Sequence, residues 1–191
     1  MLRYYAWAVG ALWLALIAYW IYAAIGAKPV ARTETWQSRL LYSAPLGIVG
    51  IVMLGNGHWQ PWPLPAHFVP IRTPILILGT FLTAAGTAFA IWARVALGAN
   101  WSGEVTVKEN HDLVTTGPYG LARHPIYTGI LLAFVGTAIV VGQYRAILCL
   151  VLLAASFWYK LGIEERLMRE TFGQAYDAYA RRVKALVPFI V

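Results

Sequence analysis

An all-α integral membrane protein of about five transmembrane helices is the fold this sequence predicts, and three observations predict it. Of 191 residues, 60% are hydrophobic and only 12% charged, about half the charged fraction of a soluble domain of that length. The apolar residues fall in long runs rather than alternating with polar ones. Nine Trp and eleven Tyr suit aromatic belts at both faces of a bilayer. The net charge of +7 then belongs to membrane topology and gives no reason to expect nucleic acid as a partner.

The first apolar span runs from about Ala6 to Ile25. It is longer than the apolar core of a secretory signal and only Arg3 precedes it, so it reads as a retained helix. The second covers roughly Leu40 to Gly55 and the third Pro74 to Leu97. Between them Asn56 to Thr73, rich in Pro and Trp, is excluded from regular helix, and Trp59 and Trp62 are placed in the outer headgroup region. His58 and His67, nine residues apart with no carboxylate beside them, read as interfacial or loop histidines, and no metal is expected. The fourth span, Ile126 to Gly142, and the fifth, Ala146 to Gly162, are separated by Gln143, Tyr144 and Arg145 alone, which predicts a tight antiparallel hairpin. Cys149 lies within the fifth span and reads as a small apolar residue.

Beyond the fifth span, Ile163 to Val183 is amphipathic, with Ile163, Leu167, Thr171, Ala175 and Tyr179 recurring every four residues. Gly173 weakens it midway, so two shorter helices are expected in a cytosolic C-terminal segment. Lys and Arg decide the orientation. Twelve of them, including Lys28, Arg94, Arg123 and the tail cations, fall on one side, and Arg3, Arg72 and Arg145 on the other. The richer side is cytoplasmic. The N-terminus is then outside and the C-terminus inside. That side also holds Asn100-Trp101-Ser102, which excludes it as a glycosylation site. Residues 1–191 read as one membrane domain, with three helices in 1–97 and a loop, hairpin and tail in 98–191.

The chemistry concentrates on the cytoplasmic side. Gly117 to Gly129, GPYGLARHPIYTG, breaks the helical pattern with glycine and proline and sets Arg123 and His124 at the mouth of a span. Such backbone is tolerated at membrane depth only inside protein or beside a polar cavity. The short hairpin returns Glu164 and Glu165 to the same end. Neither a nucleophile elbow, a phosphate loop nor a GxGxxG is present. The remaining inventory fits a site that binds a reactive cofactor and lets the cofactor carry the chemistry.

These residues resemble the isoprenylcysteine carboxyl methyltransferase family, which shares features with phospholipid methyltransferases. The resemblance covers Leu97 to Pro188. It rests on Leu97-Gly98 with Trp101-Ser102, on His111-x-Leu113-Val114 leading into Gly117-Pro118-Tyr119, and on Arg123-His124-Pro125-x-Tyr127-x-Gly129. It continues with Glu164-Glu165, Phe172-Gly173-x-x-Tyr176-x-x-Tyr179, Arg182-Val183 and Pro188. It implies an enzyme that uses S-adenosylmethionine, bound in a cytosolic pocket closed by the tail. His111, Leu113, Val114, Gly117, Pro118, Tyr119, His124, Pro125, Tyr127, Glu164 and Glu165 would surround that cofactor. Arg123, Glu165 and Arg182 would be catalytic, with Arg123 and Arg182 orienting the acceptor. The acceptor would be lipophilic and enter from the bilayer, with the carboxylate of an isoprenylcysteine first. Phosphatidylethanolamine N-methylation and thiol or other small-acceptor methylation are the alternatives. A sterol-type NADPH-dependent reductase is disfavoured, because those enzymes are larger and have more spans.

Overall fold

The computed structural model describes residues 1–25, 30–33, 36–54, 63–98, 106–108 and 112–186. Among these residues six α-helices carry the fold: α1 (Leu2–Ala24), α2 (Trp36–Leu54), α3 (Thr73–Leu97), α4 (Pro125–Val141), α5 (Tyr144–Phe172) and α6 (Gln174–Arg182). Three of them, α1, α3 and α5, are long and apolar enough to cross a bilayer. Helices α1 to α5 each cover one of the predicted apolar runs to within a residue, and α6 falls in the amphipathic segment that follows them. A short antiparallel ribbon of β1 (Val30–Thr33) and β2 (Thr106–Lys108) adds to the helices, in a register that slips between Val30 and Arg32. β-Branched residues make up half of β1 and two of the three residues of β2, which favours extended backbone over another helical turn.

The tightest packing joins α3 to α4, and small residues make it possible. Gly79, Thr83, Gly86 and Ala90 on α3 are buried, as are Gly129, Ala133 and Gly136 on α4. A Cβ added to Gly129 would meet the Ala90 nitrogen at 2.6 Å and the Gly86 carbonyl oxygen at 2.7 Å. Backbones that close gain dispersion contacts unobtainable between larger side chains. Hydroxyls inside the bundle are satisfied locally: Thr83 and Thr137 donate to the carbonyls of Gly79 and Ala133, four residues back in each helix. Trp13 of α1 donates its indole N–H to Thr137 at 3.0 Å, so α1 reaches the seam through one polar contact while most of its surface stays exposed.

A second apolar layer forms between α2 and α5. Val49 and Val52 pack with Cys149, Leu153, Phe157 and Leu161, and Ser156 donates to the Tyr42 carbonyl at 2.6 Å. Cys149 is fully buried, in keeping with its reading as an apolar residue. Pro45 lies within α2 and is accommodated there as a break in the hydrogen-bond ladder.

The two ends of the helix bundle are closed differently. At one end residues 63–72 form turns that cover the link between α4 and α5. Phe68 N–H donates to Gly142, Tyr144 N–H to Ala66 and Arg145 N–H to Leu64. His67 therefore sits in a loop pairing with Gln143; His58, Trp59 and Trp62 lie outside the described residues. Only Gly142 and Gln143 separate α4 from α5, one residue fewer than predicted. At the other end Arg94, 2% exposed, donates to Gly98 at 2.7 Å and to the Ala23 carbonyl. That guanidinium fastens the end of α1 to the end of α3. Helix α5 does not stop where its apolar stretch ends at Gly162 but runs on to Phe172, where Gly173, at φ +51°, turns the chain into α6. Only glycine adopts that backbone cheaply.

Candidate functional site

The segment entering α4 is shaped by its own residues. Thr116 is extended, and Gly117 takes φ +61° to start a 3-10 turn over Gly117–Gly120. Pro118 and Tyr119 are buried in that turn. Ala122 is fully buried, and His124 caps α4 with Pro125 at the first helical position, where a missing N–H costs nothing. Leu113 and Val114 approach the turn, half-buried. His111, Trp101, Ser102 and Pro188 lie outside the described residues.

From this frame Arg123 and His124 meet Glu164 and Glu165. Adjacent residues on a helix diverge by about 100°, so the two carboxylates serve different neighbours. The Glu165 carboxylate faces the tail: its Oε1 accepts from Arg123 Nε at 2.7 Å, Tyr176 Oη at 2.8 Å and His124 Nε2 at 3.1 Å. Its Oε2 accepts from Arg169 at 3.1 Å. Glu164 faces α4: Tyr127 donates its hydroxyl to Oε1, and His124 Nδ1 lies 3.3 Å from Oε2. Its side chain keeps 22% of its surface exposed, against 7% for Glu165. Of the pair, Glu164 keeps the more exposed side chain.

His124 bridges the two glutamates with both ring nitrogens. A neutral imidazole has one N–H, so donating to both carboxylates requires the protonated ring. Burial acts to lower its pKa, but hydrogen bonds and charge from Glu164 and Glu165 outweigh burial, and the pKa is raised above 6.5. The ring also lies parallel to Tyr127 at 5.6 Å, and Tyr127 stacks on Phe157 at 4.6 Å. A folded-state pKa above the unfolded one gives stability that is complete below the ordinary histidine value and is lost as pH rises through the folded value. The wild-type melting temperature in detergent is therefore expected to decline as pH rises from neutral into the alkaline range. His124→Gln should flatten that decline; the same slope in both proteins would refute a charged His124.

The tail is sewn to the loop. Arg123 and His124 donate their backbone N–H groups to the carbonyls of Lys184 and Ala185, at 2.8 and 2.9 Å. The Arg123 guanidinium also donates to Ala180 and Val183, Thr128 to Leu186, and Tyr179 to the Tyr119 carbonyl. Arg182, by contrast, is exposed on α6, and among the described residues no hydrogen bond or ion pair joins it to the cluster. The hydroxyl of Tyr176, the second cation Arg169 and the lysine Lys160 are participants that spacing alone does not single out. Tyr176 and Tyr179 repeat at three residues on the helix carrying the tail, which is the signal the sequence offers for them.

A family model described as phospholipid methyltransferase matches residues 74–175, just over half of the chain. The chain belongs to that family. The match spans α3, the loop, α4, α5 and the first residues of α6, which together carry Arg123, His124, Tyr127, Glu164 and Glu165. Relatives of this phospholipid methyltransferase family chain include protein-S-isoprenylcysteine O-methyltransferase B of Arabidopsis thaliana, 38% identical over 84 residues, which are 44% of this chain and 43% of that protein. The protein-S-isoprenylcysteine O-methyltransferase of Schizosaccharomyces pombe is 31% identical over 118 residues, 60% and 47% of the two chains. The cobalt-zinc-cadmium resistance protein CzcN of Cupriavidus metallidurans is 26% identical over 144 residues, 74% and 58%. The chain thus spans about half the length of the curated relatives it matches, and the resemblance drawn from its motifs holds.

Proposed function

We propose that the protein is a membrane methyltransferase that moves the methyl group of S-adenosylmethionine to a lipophilic acceptor, first of all the carboxylate of an isoprenylcysteine-like molecule. The observation that carries this reading is the Arg123–Glu165–His124–Glu164–Tyr127 network, built at the end of apolar helices within the family's matched region. The names of the isoprenylcysteine relatives favour the acceptor. In this reading the chain is one membrane domain with five crossings, α4 and α5 forming the final hairpin, the N-terminus outside and the site on the cytoplasmic side.

The residues present suit the cofactor. Glu164 offers a partly exposed carboxylate to a cationic group, beside the aromatic ring of Tyr127. Leu113, Val114, Gly117, Pro118, Tyr119 and Pro125 would form the loop wall, and His111 would join it. When bound, S-adenosylmethionine supplies a methyl group on a sulfonium that is its own leaving group. Transfer to a carboxylate forms one O–CH3 bond, breaks one S–CH3 bond and moves no proton, so what the protein must supply is alignment and exclusion of water. The geometry supports Arg123 and Glu165 in positioning roles, since both are engaged in joining the loop to α5 and α6.

Phosphatidylethanolamine is the second acceptor class, favoured by the description of the family model. Its ammonium must lose a proton before attack. His124, donating from both nitrogens, is poorly placed to take it, which ranks the carboxylate first. Purified protein titrated with S-adenosylmethionine and NADPH should bind the first only. Tritiated methyl should then pass to a prenylcysteine acid in preference to phosphatidylethanolamine or a thiol. Preference for NADPH, or no binding of either, would defeat the methyltransferase reading; transfer to the phospholipid alone would defeat the acceptor.

A further inference from the structure

The polar network extends towards the apolar part of α5 through one more cation. Lys160 stands on α5 one turn before Glu164, on the side of the cluster nearer that apolar part. Its side chain is 13% exposed. The ammonium lies 5.0 Å from the ring centroid of Tyr42 on α2, 5.8 Å from that of Tyr127 on α4 and 3.9 Å from Glu164 Oε1. A lysine at the end of an apolar helix ordinarily extends its charge towards headgroups. This one turns its charge inward, between two buried tyrosines. Ionisable groups held inside a membrane protein in that way mark the path of a charged ligand.

Position distinguishes Lys160 from the other cations. Arg123 is held by Glu165 and by the tail carbonyls, and Arg182 is on the exposed side of α6. Lys160 instead lies where the apolar layer between α2 and α5 meets Glu164, so apolar side chains and a polar cluster adjoin at its ammonium, as the head of a lipophilic molecule requires. Charge points the same way. Among the described residues joined by ion pairs at this site, the cations Arg123, His124, Lys160 and Arg169 face the carboxylates Glu164, Glu165 and Asp177. With His124 protonated, the cluster carries one positive charge in excess, which favours the arrival of an anion over that of a cation.

We infer that Lys160 is the acceptor-binding cation: its ammonium receives the carboxylate head of a lipophilic acceptor at the bilayer edge of the cluster. The inference rests on the methyltransferase reading for what the bound acceptor then undergoes. It adds a basis for selection, because an ammonium attracts a carboxylate and repels a protonated amine. It also adds a basis for release. Methylation removes the negative charge, so the ester product loses the attraction that held the substrate.

The experiment compares N-acetyl-S-farnesylcysteine, its methyl ester and phosphatidylethanolamine as ligands of the full chain in detergent micelles. Binding is read calorimetrically in the wild type, Lys160→Met and Lys160→Arg. The wild type should bind the acid more tightly than the ester. Lys160→Met should weaken the acid roughly ten- to a hundredfold while leaving the ester unchanged, and Lys160→Arg should keep the preference. Each comparison of acid with ester is made within one variant, so a change in folding does not mimic the result. Equal affinity for acid and ester in the wild type, an unaltered preference in Lys160→Met, or wild-type binding of phosphatidylethanolamine but not the acid would overturn the inference. Because binding is measured without methyl transfer, a Lys160-dependent preference with no methylated product would remove the methyltransferase reading and leave this one standing.

Discussion

Glu165→Ala is expected to abolish methyl transfer and to lower the melting temperature by roughly 6–12 °C. The carboxylate accepts hydrogen bonds from Arg123, His124, Tyr176 and Arg169, and it is buried, at 5% exposed. Its removal leaves the half-buried Arg123 guanidinium without its counter-charge and His124 with Glu164 alone, and breaking a buried pair from one side typically costs about 3–5 kcal/mol. Arg169 is half exposed and adds little, so the lower end, about 3 kcal/mol, applies here. At about 2–4 °C per kcal/mol for a chain of this size, that gives the stated shift. Loss of Glu165 also unfastens the tail, because Arg123 and Tyr176 both lose the atom that holds them together. Trypsin should therefore cut faster after Arg181, Arg182 or Lys184. Glu165→Gln keeps one acceptor oxygen but turns an amide donor towards other donors, and should fall between alanine and wild type. Wild-type melting, proteolysis and turnover in Glu165→Ala would remove Glu165 from the centre of the site.

The expected consequence of Arg123→Ala differs in kind. That guanidinium holds carbonyls of the tail, so its loss opens the cover over the loop while leaving Glu165 with Tyr176, His124 and Arg169. Proteolysis of the tail should increase more than the melting temperature falls. The division between Glu164, with a partly exposed carboxylate, and Glu165, buried under donors, also assigns the two glutamates different work. Neighbouring letters in a sequence cannot express that difference. It follows from the 100° between successive helical side chains.

Periodicity and composition make the helices legible, because a long apolar run in a chain this poor in charge has little choice but to form a membrane helix. The break at Gly173 is legible for the same local reason, as is the convergence of Arg123 and His124 with Glu164 and Glu165 through a link too short for any other return path. Residues whose role depends on a distant carbonyl are not legible. Tyr179 contacts the Tyr119 backbone sixty positions away, and Arg94 holds Ala23 seventy-one positions away; nothing in local spacing marks either. In the sequence Lys160 is one charge among the twelve that the tally assigns to the cytoplasmic side, since such a tally records a side of the membrane and not the direction of a side chain. Arg182, part of an ordered motif, lies on the exposed side of its helix. The ribbon of β1 and β2 escapes a sequence reading because strands of four and three residues carry too few alternations to register as a pattern.

The seam between α3 and α4 is equally hard to read, although its glycines stand seven residues apart on both helices, at Gly79 and Gly86 and at Gly129 and Gly136. Seven residues are close to two helical turns, so each pair lies on one face. Replacing Gly129 or Gly86 with leucine is expected to prevent stable packing of the two helices. At Gly86 a Cβ would overlap the Ala133 backbone, and at Gly129 it would meet Ala90 and Gly86. The opposing atoms are mostly backbone, which cannot rotate aside as a flexible side chain could. Overpacking costs about 1–3 kcal/mol where side chains can yield, and leucine at this seam should reach or exceed the upper end. The site should fail with it, because α4 begins at His124 and Pro125, and any separation of α4 from α3 displaces the loop. Alanine at Gly129 provides the milder case and should still lower the melting temperature measurably. Gly10, Gly47 and Gly50 have nothing within 4 Å of an added Cβ, so alanine at those positions serves as the control and should leave the melting temperature unchanged or slightly raised. If Gly129→Ala melts with the controls, the close approach of α3 and α4 does not hold the loop in place, and the position of His124 must be set by the tail alone.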